Sequence, residues 1–366
     1  MSTSRLARRY LDELLPLWLD HAFDRDAGQF MEGLEIGGGA QVSGVVRTRT
    51  ATRQIYTFCH TAHLGLAPAG ALAAAEAAIA HLDAVAWNVG DRPGYARAFD
   101  RRTRTVTDPL IDLYDQACAL LALAWLGKAT GNDRYWRRAD ELLSVIDNRL
   151  AAPAGGFAED DEGTLPRRQN PHMHLFESCM ALWEVTGSAV YADRARALFD
   201  LFRHRFLDEN LTLREFFGPD WSLDDSYGSN RLDPGHMAEW VWLVHRYGGL
   251  SGETHPDIET ALLERALATG RAPSSPFLAD EVTTSGELKN SRRLWLQAEL
   301  LKAYISTGRG EDAETLAGAI TDVYLAPSED GPWRDCFDLA GQLNAPSVPG
   351  SSIYHLWTAV AEIVKR

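Results

Sequence analysis

Helix-forming segments recur along this chain at intervals of about sixty residues, and no other feature restricts the fold as tightly. Apolar positions at helical periodicity predict twelve helices, near 4–22, 51–65, 68–86, 112–129, 132–149, 171–187, 189–206, 233–248, 255–271, 290–306, 310–325 and 350–365. Pro68, Pro171, Pro234 and Pro349 stand at or just before proposed starts, where a missing N–H costs nothing. Gly131, Gly187 and Gly308 stand near proposed ends. Every second helix starts near 51, 112, 171, 233, 290 and 350, at intervals of 61, 59, 62, 57 and 60. These helices are apolar around most of their circumference, as in ACALLALAWLG (117–127) and MAEWVWLVHRYGG (237–249). Their neighbours, such as DRYWRRADELLSVIDNRL (133–150), have one apolar face and one wet face. Six helical hairpins stack as an open solenoid or close into a ring. A ring requires inner helices flanked on both sides, which the apolar set supplies. The expected fold class is all-α, an (α/α)6 barrel with short β-hairpin loops at the active-site end.

A chain of 366 residues would ordinarily divide into two domains. Six units at this period account for the whole length, so one catalytic domain over 1–366 is expected. The long loops 88–111, 151–170 and 207–232 include alternating stretches such as LTLREFF (211–217), which suit short hairpins forming a lid and cleft. The run Gly37, Gly38 and Gly39 reads as a turn, because the residues that flank a phosphate loop are missing.

Charge narrows the partners. Lys and Arg number 36 against 51 Asp and Glu, a net of −15, which disfavours nucleic acid and anionic membranes. The N-terminal stretch mixes Arg5, Arg8, Arg9, Asp12 and Glu13 into an apolar pattern, giving an amphipathic helix and not a signal peptide. Cys59, Cys118, Cys179 and Cys336 are widely separated and read as buried reduced thiols. A cytoplasmic protein is expected, monomer or homodimer, with a small molecule as its partner.

The polar residues of the inner helices carry the functional signal. Arg53, Tyr114, His174, His236, Trp295 and His355 follow one another at 61, 60, 62, 59 and 60 residues. Parallel inner helices would bring all six to one end, where helix N-termini favour negative charge. His236 and Glu239 are separated by i,i+3, so the carboxylate is expected to orient the imidazole and raise its basicity. His172 and His174 point different ways, and His174 shares the register of His236. Zinc is the rival chemistry for these histidines, but HExxH and other compact ligand motifs are lacking. No metal and no cofactor is expected.

At the same positions the sequence resembles the N-acylglucosamine 2-epimerase superfamily. The resemblance runs through TRQIYTF (52–58), LYDQA (113–117), NPHMHLFES (170–178), DPGHMAEW (233–240), RLWLQAE (293–299) and PGSSIYH (349–355). It implies an (α/α)6 barrel that moves a proton at the carbon beside a sugar carbonyl without a metal. By this resemblance Arg53 holds the carbonyl-side oxygens, and His174 with Asn170 contacts the sugar and assists ring opening. His236 and His355 become the acid/base pair, Glu239 the supporting acid and Trp295 an aromatic of the cleft. Tyr114, Gln116, Glu177, Arg49 and Glu215 are further candidates for sugar contact. The resemblance implies two departures: many members have Trp where Arg49 stands, and the epimerase branch often has Trp where Gly350 stands. The lost stacking surface favours a monosaccharide.

The chemistry is consistent with these residues. A histidine near neutrality can take the C2 proton, and Arg53 can stabilise the enediolate. The expected activity is aldose–ketose isomerisation of a mannose-type monosaccharide (mannose/fructose), with a glucose/mannose or N-acylglucosamine 2-epimerase as the alternative. Arg47, Arg49, Arg167 and Arg168 are spare cations that would suit a phosphorylated sugar. An (α/α)6 glycoside hydrolase using Glu177, Glu215 or Glu239, and a silent sugar-binding scaffold, are the readings from other classes.

Overall fold

The computed structural model describes residues 1–36, 43–272, 275–326 and 332–365. Gly37, Gly38 and Gly39, expected to turn, lie outside the described residues. The first predicted helix is α1 (Ser2–Arg9), which runs through a π-turn at Tyr10–Leu14 into α2 (Leu15–Ala22). There follow α3 (Thr48–His63), α4 (Ala71–Ala86), α5 (Leu113–Thr130), α6 (Arg134–Arg149), α7 (Gln169–Thr186) and α8 (Ala189–Leu201), the last extended by a π-turn at Phe202–Phe206. The remainder are α9 (Pro234–Ser251), α10 (Pro256–Gly270), α11 (Leu294–Ser306), α12 (Gly310–Val323) and α13 (Ser352–Val364). No helix among the described residues is long and apolar enough to cross a membrane.

The ring closes. α3 packs on α5, α5 on α7, α7 on α9, α9 on α11, α11 on α13, and α13 returns to α3. Outside it, α4, α6, α8, α10 and α12 each lie against the inner helix that precedes them, and α1 fills the last gap against α12 and α13. The sequence explains this sorting. α5 buries nearly every residue from Leu113 to Gly127, whereas α6 buries only Tyr135, Ala139, Leu142, Leu143 and Ile146, one helical stripe. Gly127 lets the two approach, since a Cβ there would collide with the Trp136 indole. Across the barrel Trp240 stacks on Phe202 at 3.8 Å and on Phe176 at 5.5 Å, contacts of the kind whose truncation costs about 3–5 kcal/mol. All four cysteines are buried free thiols.

Chain direction then separates the two ends. Turns from an inner to an outer helix are short, as at 131–133 and 187–188, and Gly131 and Gly187 make theirs in the left-handed region. Connections from an outer to an inner helix are long, and all lie at the end where the inner helices begin. Strand hairpins form there, Phe23–Asp24 with Gln29–Phe30, Trp87–Val89 with Arg92–Tyr95, and Ala98–Asp100 with Thr105–Asp108. Residues 206–214 fold back as a small hairpin with Leu207 bridged to Leu213, and Phe216–Phe217 then pairs with Arg167–Arg168 of the preceding loop. Such pairing between loops is general. Val45–Arg47 pairs with Ala98–Asp100, Arg231–Leu232 with Val282–Thr283, Arg292–Arg293 with Cys336–Phe337, and Ser347–Pro349 with Gly33–Glu35. A bridge between Asp112 and Asp160 supplies the sixth link, so the loops form a continuous hoop. This pairing also explains why α11 begins at Leu294 and not near 290: Arg292 and Arg293 belong to the hoop.

Candidate active site

Inside the hoop lies a cavity of about 380 Å³, lined by residues from the first turns of the inner helices and from the loops. The helix starts are firmly tied. Asp112 and Asp233 cap α5 and α9 by accepting from Tyr114 and Asp115 N–H and from Gly235 and His236 N–H. At α3, α7 and α11 an arginine precedes the helix, and its backbone N–H and guanidinium both hold a carboxylate from the preceding loop. The pairs are Arg47 with Glu32, Arg168 with Glu159, and Arg293 with Asp280.

Arg53, Tyr114, His174, His236, Trp295 and His355, the six residues in register, all line this cavity. Arg53 donates from Nη2 to the Tyr114 hydroxyl at 2.7 Å and to His174 Nε2 at 3.0 Å. Its guanidinium carbon lies 5.1 Å from the Tyr114 ring centre and 4.8 Å from that of Tyr354. Trp295 stands between the two outer histidines, 5.2 Å from the His236 ring and 5.3 Å from the His355 ring.

Each of the three histidines is held through Nδ1 by a glutamate. His174 pairs with Glu177 at 3.1 Å, His236 with Glu215 at 3.0 Å and His355 with Glu299 at 2.6 Å. The surroundings then divide them. Burial opposes a charge on His236, but Asp233 and then Glu215 more than offset it and raise the imidazole to about 10. Burial, reinforced by Arg53, Lys302, His174 and His236, holds His355 well below the usual histidine range. His174 is also lowered, chiefly by burial. The cavity therefore faces one imidazolium and two neutral imidazoles near pH 7.

Several expected roles shift. Glu239 lines the cavity but does not hold His236; Glu215 does, reaching in from the loop after α8. Glu239 is fully buried, and neither of its oxygens has a hydrogen-bond partner. Its side chain lies among His174, Glu177, Glu299 and His355, because the i,i+3 step carries it deeper along α9. Gln116 does not reach the cavity: its amide bridges the backbone N–H and C=O of Tyr95, locking a loop strand to α5. Glu177 sits behind His174, accepting from the Tyr354 hydroxyl. Asn170, Arg49 and Glu215 do line the cavity, Arg49 paired with Asp115, and Asn170 leaves a buried Oδ1 without a partner. Arg167 is remote from it, lying over Trp221 and donating to the carbonyls of Gly155, Phe157 and Pro219. Both ring nitrogens of His172 are taken by the backbone of Arg168 and Phe157, so that residue is structural.

Sequence reasoning missed Glu299 and Asp233 as partners of the outer histidines, although both stand in the motifs. Two groups, His174–Glu177–Glu239 and Glu239–Glu299–His355, bring their donor atoms within 4.8 Å, close enough to consider a cation. Tyr354 donates to Glu177 and the Lys302 ammonium lies 2.6 Å from Glu299, while Glu239, common to both groups, has no hydrogen-bond partner.

Comparison with known proteins agrees with this geometry. The sequence model of N-acylglucosamine 2-epimerase (GlcNAc 2-epimerase) matches residues 28–359. A protein of Rhizobium meliloti (strain 1021) named mannose-6-phosphate isomerase is 31% identical over 379 residues, covering 99% of this chain and 97% of its own. A solved D-mannose isomerase superposes with a TM-score of 0.87 at 20% identity, covering 100% of this chain and 98% of that one. Cellobiose 2-epimerase from Bacillus thermoamylovorans B4167 also gives 0.87, at 18% identity, over 100% and 99%. At such identities these two structures speak for the fold.

Proposed function

Because the chain belongs to the N-acylglucosamine 2-epimerase family of carbohydrate isomerases and epimerases, we propose that it is an aldose–ketose isomerase acting on a mannose-type monosaccharide. The observation that carries the choice of isomerase is the whole-length relative named mannose-6-phosphate isomerase, and the site supplies an acid–base pair of histidines beside Trp295. A 2-epimerase would use the same pair, a neutral base on one face of C2 and a protonated acid on the other, so the pair itself fits both outcomes. Here His355 is neutral and can accept, while His236 is held as a cation by Asp233 and Glu215 and is suited to donate. One base and one acid suffice for isomerisation.

In this mechanism His355 removes the C2 proton of the open-chain aldose as His236 protonates the carbonyl oxygen O1. Arg53 stabilises the negative charge that develops on the cis-enediol oxygens. His236 then recovers a proton from the O2 hydroxyl, and protonated His355 delivers its own to C1, giving the ketose. Atoms and charges balance with no added reactant. His174, kept neutral with Nε2 toward Arg53, lies with Asn170 on the wall where the sugar hydroxyls would sit.

Incubation with mannose in D₂O, followed by chromatography and mass analysis, tests this. Fructose carrying deuterium, or exchange at C2, is expected; glucose without fructose would overturn the choice in favour of the epimerase. Oligosaccharide cleavage that survives His236→Ala would support the hydrolase reading. A phosphorylated aldose is the second substrate reading. It is favoured by the rim residue Lys289, whose ammonium has no ion pair or hydrogen bond among the described residues, and by the mannose-6-phosphate isomerase relative. A higher kcat/KM for mannose 6-phosphate than for mannose would select it.

A further inference from the structure

Lys302 is wholly buried, one turn along α11 from Glu299. An ammonium so placed is costly unless compensated. Its Nζ lies 2.6 Å from Glu299 Oε2 and 3.5 Å from the centre of the Trp242 ring on α9. The contact with Glu299 is not aligned as a hydrogen bond, so it acts as an ion pair. The other oxygen of Glu299 lies 2.6 Å from His355 Nδ1.

That chain of contacts decides where one proton resides. If Glu299 carries it, the carboxyl donates to Nδ1, and the remaining ring proton of neutral His355 is on Nε2. His355 then cannot accept from a substrate. If Glu299 is ionised, Nδ1–H donates to it and Nε2 holds a lone pair. Burial, with Glu239 from α9 and Glu177 from α7, pushes the Glu299 carboxyl well above the usual carboxylate range and favours the first state; Lys302, in direct contact, is the cation that opposes it. Arg53 from α3, His174 from α7 and His236 from α9 are the other charged or titratable groups bearing on His355.

We propose that Lys302 is a positioning residue for the reaction: its ammonium keeps Glu299 anionic, so that Glu299 accepts the hydrogen bond from His355 Nδ1–H and leaves the Nε2 lone pair for the sugar. The inference rests on the acid–base reading of His355 given above. It also assigns a use to a buried charge that the ring itself does not require.

The test compares the full-length enzyme with Lys302→Met, Lys302→Arg and His355→Gln. Lys302→Met is expected to lower kcat about 10²-fold with little change in KM, the loss typical of a misplaced acid–base proton. The acid limb of its kcat profile moves to higher pH, because Glu299 then keeps its proton longer, and Lys302→Arg restores most of the rate. A purely structural lysine would reduce the folded fraction and leave the limb in place, and that result overturns the proposal. ¹⁵N NMR of the histidines in the unaltered enzyme provides a measurement independent of any variant. His355 is expected as the Nδ1–H tautomer, and finding Nε2–H overturns the proposal even if Lys302→Met does not fold. Full activity in His355→Gln would sink the acid–base reading itself. An inactive His355→Gln beside a normal Lys302→Met would sink the Lys302 proposal alone.

Discussion

Arg53 and His174 share a hydrogen bond of 3.0 Å from Nη2 to Nε2, and it dictates the state of the imidazole. A guanidinium only donates, so Nε2 is the acceptor and the ring proton sits on Nδ1, facing Glu177 at 3.1 Å. The arginine thereby excludes His174 from donating through Nε2, while its own charge remains directed at the cavity.

Arg53→Lys keeps the charge but cannot reach Tyr114 and His174 together. The expected result is a fall in kcat of about 10²–10³-fold, the range for losing a donor to a developing oxyanion. Initial rates of ketose formation, with circular dichroism to establish folding, measure it. Retention of most of the rate would remove Arg53 from the stabilisation of the enediolate.

The pH profile should be unusually broad. With Glu299 kept ionised by Lys302, activity requires His355 neutral and His236 protonated. The first condition is met above a point well below the usual histidine value, and the second is lost near pH 10. The rate should therefore hold through about pH 6.5, where an ordinary histidine base would be half protonated, and decline toward pH 10. His236→Asn should abolish the alkaline limb, and a profile centred on one limb at about 6.5 would contradict the assignment.

Glu239→Gln should separate stability from activity. Its carboxylate is buried without a hydrogen bond beside Glu177 and Glu299, an arrangement kept at a cost. Removing the charge should leave the melting temperature equal to or above that of the parent while kcat/KM falls at least about tenfold. Calorimetry and steady-state rates on the same preparation decide it. A less stable, fully active variant would mean that the carboxylate serves the fold alone.

Gly350, expected from the resemblance to mark a lost aromatic, has its side-chain space already taken. A Cβ would approach Gln54 Nε2 to 2.6 Å and Thr50 Cγ2 to 2.9 Å. Gln54 cannot yield easily, since its amide accepts from Trp18 and donates to the Met31 carbonyl. Gly350→Ala should cost about 1–3 kcal/mol in a urea titration, the range for overpacking. An unchanged midpoint would show that Gln54 can move aside.

What the sequence discloses and what it withholds follow from the range of each interaction. Helices α5 and α9 are readable because their burial is written into neighbouring residues at a fixed period. The register of Arg53, His174, His236 and His355 is readable for the same reason, since identical units place identical positions at one level. Partners across loops leave no such mark. Glu239 reads as the support of His236 because both occupy α9, but Glu215 reaches His236 from 21 residues away. Glu299 meets His355 across 56 residues, and Gln116 is drawn off to the backbone of Tyr95. The i,i+3 pair Glu299–Lys302 is visible as text, yet only packing reveals that neither side chain touches water.

The hoop of paired loops has a consequence for traffic. Its six links run from each loop to the next and back to the first, so among the described residues every loop of the entrance is tied to both of its neighbours. A sugar must pass through that entrance along the barrel axis, and the product must leave by the same route.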